Sequence, residues 1–360
     1  MTLRQEIGQL FILGFEGRAP SFALADFIRE RLPGGVILFA DNLGSPEEIA
    51  TLTSALQAPS PTPLFVAIDQ EGGKVTRLGP PFTQWPSAAT VGAVGSTGLA
   101  YALGKAMAQE LLAVGINMNF APVLDVLTNP ANPIMAGRCF GSDPRVVIRL
   151  GMAFFRGLKD MGLLTVGKHF PGHGDTTVDS HLGLPVVPHD HARLLVVELS
   201  PFVAAIGEGI PALMTAHLLV PALDPERPAT LSRPILTELL RERLGFSGLI
   251  ISDDLLMRGV ADTTPPGEAA IRFLDAGGDC VLICHDAAAQ RQAILAVAEA
   301  VETGRLSEAR VRLSCDRIAA AKAAYLSPGM PASTRPIRDV VGCDAHRRVA
   351  ELLQAGTGQK

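Results

Sequence analysis

With 360 residues, 48% of them hydrophobic and only 19% charged, the chain carries enough apolar material for a well-filled core and is excluded from the disordered class. A formal net charge of −5 and a pI near 5.9, with lysines and arginines scattered along the chain, exclude the basic field that nucleic-acid binding needs. The expected ligand is a small molecule or a glycan, with no nucleic-acid or membrane partner.

The chain opens with MTLRQEIGQLFILGFEG, an apolar stretch interrupted by Gly8 and Gln9 and closed by Glu16. It lacks a positively charged leader followed by a small-residue cleavage site, so secretion is not expected. No window approaches the ~18 consecutive apolar residues of a membrane span. Cysteines stand at 139, 280, 284, 315 and 343, an odd set without CxxC spacing, and Cys280 and Cys284 lie in or beside an apolar run. Reduced cysteines of this kind behave as small hydrophobes, which points to the cytoplasm.

In chain order, short apolar runs occur at Leu10–Phe15, Gly35–Phe39, Leu64–Ile68, Ile116–Val123, Leu163–Val166, Ala212–Thr215, Leu249–Ile251 and Cys280–Ile283. Runs that are apolar without alternation fit strands buried on both faces of a parallel sheet. Helical patterns fall between them at Pro46–Leu56, Gly98–Val114, Val146–Met161, Pro201–Glu208, Arg233–Leu244, Glu268–Ala276 and Ala287–Thr303. The approach to the first run, at Gly8-Gln9, could equally open a helix. Eight alternations predict a single-domain (β/α)8 TIM-type barrel over residues 1–326, against a doubly wound open sheet as competitor. Residues 327–360 turn Pro-rich and then polar, and predict an extended tail with one short helix near Ala345–Ala355.

The polar residues favour the barrel. Asp69 follows VAI, Asp125 follows APVL, Lys168 and His169 follow TVG, His217 follows LMTA, and Asp253 follows LIIS. A (β/α)8 barrel gathers catalytic groups at the C-terminal strand ends from all around the ring, whereas an open sheet concentrates them at one switch point.

KHFPGHGDTTVDSH, residues 168–181, is then a long loop on the catalytic face. His169 and His173 are four apart, as in HExxH, but that motif needs a helix and Pro171-Gly172 forbids one. A metal-dependent barrel using His169, His217 and Asp253 stays open as an alternative. His173, between two glycines, suits a tight turn in which it satisfies loop backbone. Asp179-Ser180-His181 spaces a carboxylate two residues from an imidazole, so an extended segment would put both on one side, where the carboxylate fixes the ring's tautomer and stabilises its cation. In SDDLLM, residues 252–257, strand alternation lets only one of Asp253 and Asp254 face the barrel mouth. Asp69, Arg77, Arg138, Lys168 and His169 would supply polar groups for hydroxyls around it.

IDQEGGKVTRL, NFAPVLDV, GRCFGSDP, KHFPGHGDTTVDSHLGLP, MTAHLLVP and ISDDLLMRGV resemble the ordered motif series of family 3 glycoside hydrolases, in particular the bacterial β-N-acetylglucosaminidases of NagZ type. The resemblance runs from about residue 5 to 325. It implies that Asp253 is the nucleophile, His181 the general acid/base and Asp179 its dyad partner on a mobile loop. It further implies that Asp69, Arg77, Arg138, Lys168 and His169 bind N-acetylglucosamine, with His217 nearby, and that no cofactor or metal is needed. Cys139 stands where the family commonly has serine, and Lys74 where it often has arginine; both touch specificity more than chemistry.

On this resemblance the expected activity is that of a retaining β-N-acetylhexosaminidase. It would remove N-acetylglucosamine from peptidoglycan fragments, N-acetylglucosaminyl-1,6-anhydro-N-acetylmuramic acid with or without peptide, in cell-wall recycling. A monomer or weak dimer is expected. The alternatives are substrate-assisted hydrolysis through Asp253-Asp254, a metal-dependent amidohydrolase, another family 3 β-glycosidase, and a silent sugar-binding barrel.

Overall fold

In the computed structural model, which describes residues 1–326 and 335–356, eight parallel strands form one sheet. They are β1 (Phe11–Gly14), β2 (Gly35–Leu38), β3 (Phe65–Ile68), β4 (Met118–Asn119), β5 (Leu164–Phe170), β6 (Ala212–Thr215), β7 (Leu249–Ile251) and β8 (Val281–Ile283). The strand order β7-β6-β5-β4-β3-β2-β1-β8 closes through a parallel bridge between Ile251 and Cys280. Every strand residue is buried, as expected for a sheet with helices outside and packed side chains within. The barrel is therefore the fold, and the open sheet is not.

Two strand boundaries differ from expectation, and both differences shape the site. The run Ile116–Val123 yields only a two-residue β4, because Pro122 has no N–H for the ladder. Pairing resumes beyond it, where Leu124 N–H donates to the Lys168 carbonyl (2.7 Å) and Lys168 N–H to the Pro122 carbonyl (3.1 Å). That pairing carries β5 on to Phe170, four residues past Val166, so Lys168 and His169 belong to the strand itself.

Helices with a broad apolar face lie close to their expected ranges: Pro46–Gln57, Thr97–Ala113, Pro144–Lys159, Ser200–Gly207, Pro266–Asp275 and Ala287–Glu302. The segment expected as helix at 233–244 is a π-helix, Pro234–Arg243. Several helices escaped the apolar pattern. Leu3–Gln9 starts at a Thr2/Gln5 capping box, which resolves the Gly8-Gln9 ambiguity as a helix followed by a strand. Phe22–Arg31 fully buries only Ile28, and Glu308–Tyr325 buries the half-polar stripe Val311, Ser314, Ile318 and Lys322. The short helices Ala88–Val94 and His191–Val196 span two turns or fewer.

Of the tail, 327–334 and 357–360 lie outside the described residues. The helix Asp344–Ala355 is seated on Thr97–Ala113, where the buried Glu110 carboxylate accepts from Gly342 N–H (2.8 Å), Thr83 Oγ1 (2.7 Å) and His346 Nδ1 (3.0 Å).

At the base of the barrel, wholly buried Asp279 joins the last strands to the outer helices. It accepts from Arg317 (3.0 Å), Arg310 (3.3 Å), Ser314 Oγ (2.8 Å), the Ile250 N–H (3.0 Å) and Arg241. Burial lowers the Arg241 pKa to about 10 despite Asp279, so the cations depend on this carboxylate. Asp279→Ala is expected to cost roughly 3–5 kcal/mol by leaving buried guanidinium groups unpaired, measured by urea unfolding. A loss below about 1 kcal/mol would show that these arginines find other partners.

Candidate active site

The mouth of the barrel holds a cavity of about 300 Å³ reached by Asp69, Arg77, Arg138, Lys168, His169, His181 and Asp253. Its deepest group is Lys168, whose side chain is 2% exposed. An ammonium so buried must be paired. Its Nζ lies 2.6 Å from Asp69 Oδ1 and 2.7 Å from Glu71 Oε1. Burial works against its charge, yet Asp69 and Glu71 hold its pKa above the ordinary lysine value.

Arg138 takes Glu71 in a two-pronged grip, Nη2 to Oε1 at 2.8 Å and Nε to Oε2 at 2.9 Å. Burial alone would raise the Glu71 pKa, but Lys168 and Arg138 overcome it and bring the carboxyl to about 2. Two carboxylates and two cations thus form a charge-balanced set. Asp69 keeps one oxygen nearer solvent, 3.6 Å from Arg77. Arg77 Cζ in turn stands 5.6 Å from the Phe39 ring centroid.

A second set is built on Asp125, which has no exposed surface. Its carboxylate accepts from the N–H of His169, from His169 Nδ1 (2.7 Å) and from the N–H of His173 (2.6 Å). With its Nδ1 proton on Asp125, His169 presents an Nε2 lone pair that accepts from Arg138 Nη2 at 3.3 Å. Among the described residues no group of three or more His, Cys, Asp and Glu side chains is arranged to hold a metal ion.

After β7 the two aspartates part ways. Asp254 accepts from the backbone N–H groups of Leu256 (3.1 Å) and Cys284 (3.2 Å), tying the β7 loop to β8. Burial leaves its pKa raised. Asp253 faces the cavity and, among the described residues, accepts from the Asp254 N–H (2.8 Å). Burial raises its pKa too, but His217, His169, the Asp254 N–H and Lys168 together outweigh burial and bring it below the ordinary value.

His217, expected among the sugar-binding groups, does not line the cavity. It is wholly buried, with Nδ1 on Thr230 Oγ1 (2.8 Å) and Nε2 donating to the Asp254 carbonyl (2.9 Å). It props up the Asp253-Asp254 backbone from below.

Asp179 and His181 do pair, but not through an extended segment. Leu182 and Gly183 both donate to the Asp179 carbonyl, so residues 179–183 are a turn. Asp179 Oδ1 accepts from the His181 N–H (2.8 Å) and from its Nδ1 (2.7 Å), a side-chain cap of the kind aspartate favours in turns. Nδ1 therefore carries the proton, and Nε2 of this 62% exposed ring is left free at the cavity rim.

Between the dyad and the barrel sits His173, with Nδ1 on Thr176 Oγ1 (2.8 Å) and Nε2 on Ser180 Oγ (3.1 Å). The expectation that it serves the loop fits this geometry, although the contacts reach side chains more than backbone.

Glu71 was the residue sequence reasoning missed. A carboxylate two residues beyond Asp69, with a buried lysine to neutralise, was the available signal. Of the two departures from the family pattern, Lys74 is exposed and Cys139 is packed with Val123 and Met135; neither lines the cavity.

Comparison with known proteins gives the site its context. The family model described as the glycosyl hydrolase family 3 N-terminal domain matches residues 2–321. A β-hexosaminidase A of Pseudoalteromonas piscicida is 38% identical over 99% of this chain, which spans 66% of that relative's length. A solved family 3 β-N-acetylglucosaminidase from Paenibacillus sp. str. FPU-7 is 40% identical, with a TM-score of 0.94 over 99% of this chain and 69% of its own. NagZ of Neisseria gonorrhoeae, solved in complex with N-trifluoroacetyl-D-glucosamine, is 28% identical with a TM-score of 0.80 over 97% of this chain and 98% of its own.

Burial, and after it His169, holds the His173 imidazole at about 4 against an ordinary 6.5. The folded chain thus resists a proton that the unfolded chain accepts. The group's contribution to stability is complete above pH 6.5 and is lost as pH falls from 6.5 towards 4, by roughly 3 kcal/mol in total. In His173→Gln the stability difference between pH 7 and pH 4.5 should shrink by roughly 2 kcal/mol in denaturant titrations. An unchanged difference would mean that other groups set the acid sensitivity.

Proposed function

The chain belongs to glycosyl hydrolase family 3, and we propose that it acts as a retaining exo-β-N-acetylhexosaminidase through a covalent glycosyl-Asp253 intermediate. The observation that carries this reading is the unequal pair at β7. Asp254 is spent on two backbone N–H groups, while Asp253 keeps a carboxylate, favoured in its charged form, turned to the cavity.

In the first step a carboxylate oxygen of Asp253 bonds to the anomeric carbon as the bond to the leaving oxygen breaks. His181 enters this step as the imidazolium, whose Nδ1–H Asp179 holds, and gives its Nε2 proton to that oxygen. In the second, His181 takes a proton from water, whose oxygen displaces Asp253 and restores the original configuration. Asp69, Lys168, Arg77, Arg138 and His169 form the polar wall for the sugar's hydroxyls and acetamide. Arg138 is already held by Glu71, so within that wall it acts as a fixed donor.

Substrate-assisted hydrolysis would need two cooperating carboxylates at β7, and Asp254's backbone bonds count against it. The names of the relatives support N-acetylhexosamine as the sugar. The natural substrate is then N-acetylglucosaminyl-1,6-anhydro-N-acetylmuramic acid with or without peptide, released in cell-wall recycling. Cytoplasmic residence fits five free cysteines, and no described helix is long and apolar enough to cross a membrane. A monomer or weak dimer is the proposed state. Release of nitrophenolate from 4-nitrophenyl N-acetyl-β-D-glucosaminide tests the reading directly.

Asp253→Ala should abolish turnover, whereas Asp254→Asn should retain a measurable part of it. A 5-fluoro N-acetylglucosaminyl donor should leave a mass-detectable adduct on the peptide containing Asp253. Equal and total loss in both folded variants, or turnover without any adduct, would count against the nucleophile.

His181→Ala should slow glycosylation by about 10²- to 10⁴-fold for poor leaving groups and far less for nitrophenolate, which departs with little protonation. Asp179→Asn should be milder, since it removes orientation while leaving the proton donor. An equal factor for good and poor leaving groups in His181→Ala would eliminate His181 as the acid.

A further inference from the structure

The turn that carries Asp179 and His181 and the segment that carries Asp253 meet over the end of a third strand. In the ring β6 stands between β5, which leads to Asp179 and His181, and β7, which leads to Asp253. Above β6 the two outer segments touch, because the Gly259 N–H donates to the Ser180 carbonyl at 3.0 Å. Ser180 is the residue between Asp179 and His181, and it is buried while the His181 ring beside it is exposed. The turn therefore has a held inner side and an open outer side.

Gly259 is itself fixed to Asp253 by a short run of bonds. The Met257 N–H donates to the Asp254 carbonyl (3.0 Å), and the N–H groups of Val260 and Ala261 donate to the Met257 carbonyl (3.0 and 2.9 Å), starting the short helix Arg258–Ala261. The same Asp254 carbonyl accepts from His217 Nε2. His217 also packs against Gly259, where a Cβ would stand 3.0 Å from His217 Cβ and 3.2 Å from the carbonyl oxygens of Ser180 and Gly183. Only glycine fits that space without displacing a neighbour. Ser180 is held a second time by its Oγ, 3.1 Å from His173 Nε2, which leads back to β5. One carbonyl bond to the β7 side and one hydroxyl bond to the β5 side thus fix the base from which His181 projects.

We propose that Gly259 is a positioning residue: its N–H and its missing side chain seat the Ser180 carbonyl, and this seat sets the gap across which Asp253 and His181 act on one glycosidic bond. The inference rests on the glycosidase reading, in which His181 must reach the leaving oxygen while Asp253 reaches the anomeric carbon. From Asp253 to His181 the path is two pieces of bonded backbone joined at one hydrogen bond. A small shift at that joint displaces the acid and leaves the nucleophile in place.

Gly259→Ala tests the joint. The added methyl group must push either His217, which is wholly buried and bonded at both ring nitrogens, or the turn, whose outer side is exposed, so the turn yields. For phenyl N-acetyl-β-D-glucosaminide, whose phenoxide departs slowly unless protonated, kcat/KM should fall at least about tenfold, and for the 4-nitrophenyl glycoside less than about threefold. Ser180→Ala removes the bond to His173 and keeps the carbonyl, so it should move the ratio between the two substrates less than Gly259→Ala does. In the unmodified chain Gly259 is the second residue of its helix, where an N–H has no acceptor within the helix, so its hydrogen exchange reports the Ser180 bond. That amide should exchange at least about tenfold more slowly than an unstructured one. Both substrates slowed by one factor or not at all in Gly259→Ala, a shift in Ser180→Ala as large as in Gly259→Ala, or exchange at Gly259 as fast as in an unstructured chain would overturn the seat and leave the glycosidase reading intact. Absence of nitrophenolate release from the unmodified chain would overturn that reading, and this role of Gly259 with it.

Discussion

A lysine ammonium 2% exposed at the top of a parallel barrel constrains everything around it. Removing such a charge from water costs several kcal/mol unless partners take over the role of solvent. Lys168 has two, Asp69 and Glu71, and the second of these would be an excess negative charge were it not also held by Arg138. The result is a neutral lattice linking β3, the segment after β4, and β5, so these three parts of the ring cannot shift independently. A sugar bound there as proposed would meet polar groups already fixed in direction, which is the condition under which hydrogen bonds to hydroxyls discriminate.

The extension of β5 past Gly167 connects this lattice to the rest of the site. Because Lys168 and His169 are strand residues, Asp125 can take the His169 backbone and ring at once, and then the His173 backbone. His173 reaches Ser180, the residue between the proposed acid/base pair. A continuous chain of bonds therefore runs from the barrel to the dyad. Its final links are neutral, since an imidazole held at about 4 is uncharged near pH 7. Neutral hydrogen bonds contribute about 0.5–1.5 kcal/mol net, so they orient the loop without locking it.

Legibility in the sequence followed how local each cause is. The ends of β6 and β7 were visible because an apolar run stops at a polar residue, and the barrel followed from eight such runs. Helices Pro46–Gln57 and Ala287–Glu302 were visible through their apolar faces. Helix Phe22–Arg31 was not, because it fully buries only Ile28. The shortness of β4 traces to Pro122, but the pairing that resumes beyond it joins Leu124 to Lys168, across 44 residues of sequence, and no local pattern announces it. In the candidate site, Asp253, His181 and Asp179 stood out by motif, and the structure brings Asp253 and His181 to one cavity. The role of Glu71 depends on Lys168 and Arg138, which only the closed ring brings to it. His217 marked a strand end correctly, yet its ring points into packed structure, and no pattern of residue types distinguishes a prop from a ligand-binding group.

The two groups proposed to react are held by opposite means, and the chemistry proposed for them accounts for the difference. A nucleophile must meet one carbon along one line, and the proposed one, Asp253, sits at the end of β7 with its neighbour Asp254 bonded to β8 and His217 bonded to the Asp254 carbonyl. An acid/base serves two events, the departure of an aglycone and the arrival of water, which differ in size and cannot share the space at once. Asp179 and His181 meet this need with a self-contained unit. One carboxylate oxygen fixes both the backbone and the ring of His181 inside a single turn, so the ring's orientation is set within the turn itself. Orientation of the proton is thereby separated from placement of the loop. The barrel has only to offer a stem from which that turn can approach Asp253, and the exposed ring of His181 remains accessible to whichever oxygen occupies the leaving-group side.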